Sequence, residues 1–177
     1  TGHMVSYAVT YDTGGTIPRL TKRYDLTGLP GPFAGVFSPR AAASNQLIVV
    51  DENLPGAISM LVGTTGSLTV NNSANSHQRF PCWIVINAAG TSAFTTNTGA
   101  DTLSLFTVAS DGRLTFRSNV ATSGRLPTDL TLDPAGRYLY EVNVGSASVK
   151  GWRLTGATTS AGLAAVNATA AADLPAD

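Results

Sequence analysis

His77 and Arg79, in the stretch Ser76-His77-Gln78-Arg79-Phe80, are the pair in this chain best suited by type and spacing to do chemistry. An imidazole titrates near neutral pH. A guanidinium two residues away can hold a carboxylate or phosphate through two parallel hydrogen bonds. The only two glutamates, Glu52 and Glu141, each stand near the end of an apolar run, Glu52 just before Asn53 and Glu141 two residues before Asn143. A carboxylate at a strand end can act as a general base. Arg125 precedes Pro127 by two residues, as Arg79 precedes Pro81, and Asp129 follows it. His77, Arg79, Arg125, Glu52 and Glu141 therefore form the candidate catalytic set. Each also has a plainer reading: an exposed loop side chain, a solvated strand end, or an arginine bonded to loop carbonyls.

Other chemistries find no residues to carry them. The sequence has no Cys/His ligand cluster, no phosphate-cradling glycine loop opening a helix, and no nucleophile elbow. No metal or cofactor is expected. Cys82 is the only cysteine, so it has no internal disulfide partner, and its apolar surroundings suggest an inert core thiol. Eleven basic and eleven acidic residues give no net charge, and no basic run occurs. Nucleic acid and anionic membranes are thus poor partners. No apolar stretch approaches the roughly 20 residues of a membrane helix.

These residues must be positioned by short strands. Between Phe80 and Thr122, four apolar runs, Pro81–Ile86, Ala93–Asn97, Leu103–Ala109 and Leu114–Ala121, are each closed by Gly, Asn or Asp. That pattern predicts a four-stranded meander. Pro81 and Pro127, Gly90 and Gly136, and Asn97 and Asn143 each lie 46 residues apart. Gly66 and Gly112, and Leu68 and Leu114, keep the same interval upstream, whereas Asn53 and Asn97 are 44 apart. Four strands recurring at this period read as propeller blades. The run Cys82–Ile86 lacks polar alternation, which predicts burial on both faces and stacking between neighbours.

The fold expected is all-β: a partial β-propeller of about three and a half four-stranded antiparallel blades. Residues 1–4 read as a cloning scar, 5–29 as a half-blade, 30–78, 79–124 and 125–169 as blades, and 170–177 as a frayed tail. The half-blade, Val5–Tyr11 and Arg19–Leu26, corresponds to third and fourth strands. Thr155–Gly162 reads as a loop before a weaker strand near Leu163–Ala168.

Several motifs resemble a known family. Gly66-Ser67-Leu68-Thr69 and Gly112-Arg113-Leu114-Thr115 share a G-x-L-T turn, and Asp133–Asn143 reads DPAGRYLYEVN. With Ser38–Arg40, Pro81–Ile86 and Phe94–Gly99, these are similar to lactonase-type seven-bladed propellers, the class of bacterial 6-phosphogluconolactonase and fungal carboxymuconate cyclases. The resemblance runs from Val5 to about Ala168 and implies roughly the C-terminal half of a ring. It also implies arginine after the second-strand Asn, facing the channel. Thr98 and Val144 stand there instead.

Half a ring would leave apolar blade faces and strand edges bare. The expectation is a homodimer that completes the propeller. The favoured function is a non-catalytic module binding a ligand or protein through its loops, with a small lactone or sugar acid as candidate ligand. The alternative is a lactone-hydrolysing or lactonising enzyme with its site in the central channel.

Overall fold

A computed structural model of the chain describes residues 3–11, 14–15, 18–40, 45–122, 124–155 and 162–165. Among these residues, fourteen strands form one two-stranded and three four-stranded antiparallel sheets. β1 (His3–Tyr11) pairs with β2 (Pro18–Thr27). β3 (Pro32–Phe37), β4 (Gln46–Asp51), β5 (Leu54–Val62) and β6 (Leu68–Ala74) form the first full blade, in that spatial order. β7 (Pro81–Ile86), β8 (Ser92–Asn97), β9 (Thr102–Val108) and β10 (Leu114–Ala121) form the second. β11 (Pro127–Leu132), β12 (Tyr138–Asn143), β13 (Ser148–Thr155) and β14 (Gly162–Ala165) form the third. The first strands of the three blades, β3, β7 and β11, pack side by side along the inner edge. The result is an unclosed fan of blades, a partial propeller.

The repeat is visible in the turns. Asn87 Oδ1 accepts the backbone N–H of Thr91 and Ser92, and 46 residues later Asp133 Oδ1 accepts those of Arg137 and Tyr138. Both turns place a glycine, Gly90 and Gly136, at φ 64°, where a side chain would be strained. The interval in the sequence is therefore an interval in backbone geometry.

Cores lie between blades. Ile48, Val50 and Ala57 of the first blade meet Ile84, Ala93, Phe106 and Leu114 of the second. Phe94, Leu103 and Leu105 on the other face of the second meet Leu130, Leu139 and Trp152 of the third. β8 is buried throughout because both its faces are covered. Met4 and Leu26, from the two-stranded sheet, pack on Val49, Ile58 and Met60.

Some sequence expectations change. β1 begins at His3, two residues before the strand expected from the sequence, and Met4 packs against a core cluster. The inner strand β7 is not buried on both faces: Trp83 is 37% exposed, because inner strands border the channel instead of a neighbouring blade. The expected tail at 170–177, and most of the loop before β14, lie outside the described residues. No helix among the described residues is long and apolar enough to cross a membrane.

Candidate functional site

The loops entering each first strand and those leaving each second strand meet at one mouth of the fan. Pro32, Pro81 and Pro127, which open the first strands, pair with Asp51, Asn97 and Asn143, which close the second. The counterpart of Asn97 is therefore Asp51, not Asn53. The 44-residue interval read from Asn53 compared unlike positions. The next residue in each blade donates its backbone N–H to the same place in the incoming loop: Glu52 to Gly31, Thr98 to Phe80 and Val144 to Leu126. Glu52, Thr98 and Val144 are thus three equivalent side chains at this mouth, carrying a charge, a hydroxyl and an apolar group.

The incoming loops follow a size exchange. In the second blade Phe80 lies over Gly99, and in the third Leu126 lies over Gly145. The carbonyls of Arg79 and Arg125 accept the N–H of those glycines. In the first blade the order is reversed: Gly31 lies beneath Asn53. Asp51 holds this arrangement by accepting the N–H of Gly31 at 3.0 Å on both oxygens and that of Asn53 at 2.9 Å. It is fully buried, its carboxylate met by backbone donors.

Between the first and second blades the exchange leaves a cleft of about 230 Å³, lined by Glu52, Asn53, Pro55, Gln78, Arg79 and Phe80. Glu52 and Arg79 from the candidate set meet here. No ion pair joins them among the described residues. Arg79 Nη2 donates to Gly99 O at 3.1 Å, which steadies the side chain, and its other N–H groups have no hydrogen-bond partner among the described residues. Gln78 Oε1 accepts from Thr102 Oγ1 at 3.1 Å, fixing its amide.

The rest of the set does not assemble there. His77 is exposed at φ 59°, its backbone N–H bound to Asn75 Oδ1 at 2.6 Å, and it does not line the cleft. Arg125 sits at the equivalent place one blade on, and its guanidinium has no hydrogen-bond or ion-pair partner among the described residues. Glu141 departs from the strand-end position facing the channel. It is fully buried, taking Asn143 Nδ2 at 2.9 Å and Trp152 Nε1 at 2.8 Å. Burial pushes its carboxyl pKa above the usual glutamate value, against the two hydrogen bonds. Asn97 closes its turn as expected, donating to Thr102 and Ser104, but Asn143 serves Glu141 instead.

Cys82 is not a deep core thiol. It is half-buried on the inner strand near Thr98, Glu52 and Asp129. Burial, and then the two carboxylates, raise its pKa, so the thiol stays protonated and weakly nucleophilic. Sequence reasoning missed Gln78, Phe80 and Asn53 as cleft residues. The signal available was the position of each relative to the proline that opens a blade. No group of His, Cys, Asp and Glu among the described residues is arranged to hold a metal.

The family described as "Lactonase, 7-bladed beta-propeller" matches residues 6–173. No curated protein matches significantly. Among solved structures, a Lactobacillus plantarum protein matches at 21% identity and TM-score 0.76, over 90% of this chain and 48% of its own. The periplasmic gluconolactonase of Pseudomonas aeruginosa matches at 19% and 0.71, over 92% and 48%. A Desulfotomaculum acetoxidans protein of unknown function matches at 13% and 0.71, over 88% and 47%. The chain spans about half the length of each.

Proposed function

Because the chain belongs to the family of lactonase seven-bladed β-propellers, we propose that it is a half-ring binding module that holds a sugar acid or its lactone in the cleft between the first and second blades. The observation that carries this reading is the meeting of Glu52, Asn53, Gln78, Arg79 and Phe80 around one small concavity. Its chemistry suits a polyhydroxylated acid. The free N–H groups of Arg79 take a carboxylate or a lactone carbonyl. Glu52 accepts from hydroxyls, and the amides of Asn53 and Gln78 both donate and accept. The ring of Phe80, 51% exposed, offers an apolar platform to the C–H face of the ligand.

Turnover is a separate matter. Hydrolysis of a lactone asks for a positioned base, an oxyanion donor and a route for the proton. Glu52 is the one carboxylate lining the cleft, Glu141 is enclosed elsewhere, and His77 stands apart. The alternative, a hydrolase in which Glu52 activates water and Arg79 polarises the carbonyl, draws on the family match and on the gluconolactonase among the similar structures. Release of acid from δ-gluconolactone, absent in Glu52→Gln, would favour it over the binding module.

In this reading a second polypeptide supplies the rest of the ring, and a second copy of the chain is the proposed partner. Titration with D-gluconate, followed through intrinsic tryptophan fluorescence, tests the site. Trp83 stands near this mouth on β7. Saturable binding should weaken about tenfold or more in Arg79→Ala and stay unchanged in Arg113→Ala, an exposed arginine outside the cleft. Equal binding in wild type and Arg79→Ala would overturn the assignment.

A further inference from the structure

Gln78 has no like residue in the other two full blades. Counted back from Gly31, Phe80 and Leu126, whose carbonyls accept equivalent N–H groups, its place is taken by Leu29 in the first blade and Gly124 in the third. The third blade keeps Asn143 opposite Ser148, as the second keeps Asn97 opposite Thr102. A blade of this kind is therefore built without an amide at this position. In the second blade the amide lines the sugar-acid cleft.

A chain of hydrogen bonds sets which end of that amide faces which way. It starts at Ser76 O, which as a carbonyl can only accept, and which takes Asn119 Nδ2 at 3.0 Å. The other end of the same side chain, Asn119 Oδ1, accepts from Ser104 Oγ at 2.7 Å. Ser104 Oγ, its hydrogen so committed, accepts from Asn97 Nδ2 at 2.7 Å. Asn97 Nδ2 also donates to Thr102 Oγ1 at 3.1 Å, and the Thr102 hydroxyl passes its own hydrogen to Gln78 Oε1 at 3.1 Å. Turned over, the Gln78 amide would bring a second donor to Thr102 Oγ1 and leave the hydroxyl hydrogen without an acceptor among the described residues. Asn97 and Ser104 are fully buried, so water does not compete in the middle of the chain.

The consequence falls on the cleft. The oxygen of Gln78 is engaged, and its Nε2 has no hydrogen-bond partner among the described residues. Arg79, the next residue, likewise holds N–H groups without a partner. Two adjacent side chains of the second blade therefore offer donors, whereas Glu52 of the first blade offers acceptors. A carboxylate brings two charged oxygens to such a pair of donors. A lactone brings one neutral carbonyl and a weakly accepting ring oxygen, and leaves a donor poorly met.

We infer that Gln78 is the specificity-determining residue of the cleft, selecting the open-chain sugar acid over its lactone, and that Thr102 is the positioning residue that keeps the Gln78 N–H groups turned to the ligand. The inference rests on the cleft being the ligand site. The carboxylate lies on Arg79 and Gln78, and the hydroxyl-bearing chain extends toward Glu52 and Asn53.

Tryptophan fluorescence titration of the whole chain with two probes tests this. One is D-gluconate, and the other is D-glucono-δ-lactam, a neutral ring that resists hydrolysis. The wild type should bind gluconate about tenfold or more tightly than the lactam. In Gln78→Glu, which keeps the shape and sets acceptors in place of donors, the preference should vanish or reverse. In Thr102→Val, which frees the amide to turn, the preference should shrink while both probes still bind. A role in stability alone would weaken both probes together and leave the ratio of affinities unchanged. Thermal melting of each variant checks the fold, and Gln78→Glu carries the test by itself if Thr102→Val does not fold. Equal affinity for the two probes in the wild type, or a preference that survives these substitutions, overturns the inference and leaves the cleft a ligand site. Failure of either probe to bind saturably overturns the preference if gluconate is the one that fails; failure of both overturns the cleft assignment itself, and this inference with it.

Discussion

At the scale of the residue, the environment decides what each carboxylate can do. Glu52 and Glu141 look alike in sequence, each near the end of a second strand. One lines an open cleft, and the other lies between Asn143 and Trp152 in the interior. Removing the buried side chain in Glu141→Ala leaves two buried donors without an acceptor and should cost about 2–4 kcal/mol in urea unfolding. Its pH dependence has a definite sign. Burial raises the folded pKa, so the folded state holds the proton more tightly than the unfolded chain. Glu141 therefore contributes most below the ordinary glutamate pKa, and that contribution is lost as pH rises through its raised folded value. The wild-type urea midpoint should fall over that window relative to Glu141→Gln, which takes up no proton. Parallel profiles for the two proteins would contradict the assignment. This burial was not legible in the sequence, because the partner, Trp152, stands on another strand and is brought opposite Leu139 only by strand pairing.

At the scale of the element, the strands themselves were readable. β7 and β10 fall where apolar runs and turn residues put them, β8 differs by one residue at its start, and β9 by one residue at each end. The contacts that join one blade to the next were not. Asn72, on the outer strand of the first blade, imitates a neighbouring strand: its Oδ1 accepts Leu114 N–H and its Nδ2 donates to Leu114 O, both at 2.9 Å. Gln46 and Ser59 grip the same turn through Gly112 O, at 2.6 and 2.8 Å. Arg40 reaches from the first blade to Ala109 O. Nothing in the local pattern around Asn72 distinguishes it from a turn residue. Its role depends on a partner 42 positions away. Asn72→Ala should lower stability by about 1–2 kcal/mol through the two lost bonds, measured by chemical unfolding. A change of under about 0.3 kcal/mol would show that water replaces the latch at little cost.

At the scale of the whole molecule, the repeat interval disclosed the propeller, and the comparisons bear out that reading over residues 6–173. What the interval could not disclose was register. It aligned Asn53 with Asn97, whereas pairing with the first-strand prolines aligns Asp51, and only that alignment puts Glu52 beside Arg79's loop. An edge of β1 remains unpaired among the described residues, and such edges invite a partner. Sedimentation at micromolar concentration should find twice the 18.2 kDa chain mass if a second copy supplies that cover; a folded species at the single-chain mass would remove the self-association proposal.

Each end of the fan has a concavity. One holds Glu52 and Arg79, and the other, of about 320 Å³, is bordered by Val36, Phe37, Ile86, Leu132 and Asp133. A crystal structure with D-gluconate at saturating concentration therefore decides most directly where a ligand belongs. The account predicts density between Glu52–Pro55 and Gln78–Phe80, with the carboxylate on the Arg79 guanidinium. Gluconate at the Phe37 end, or a cleft left empty at saturation, would contradict it.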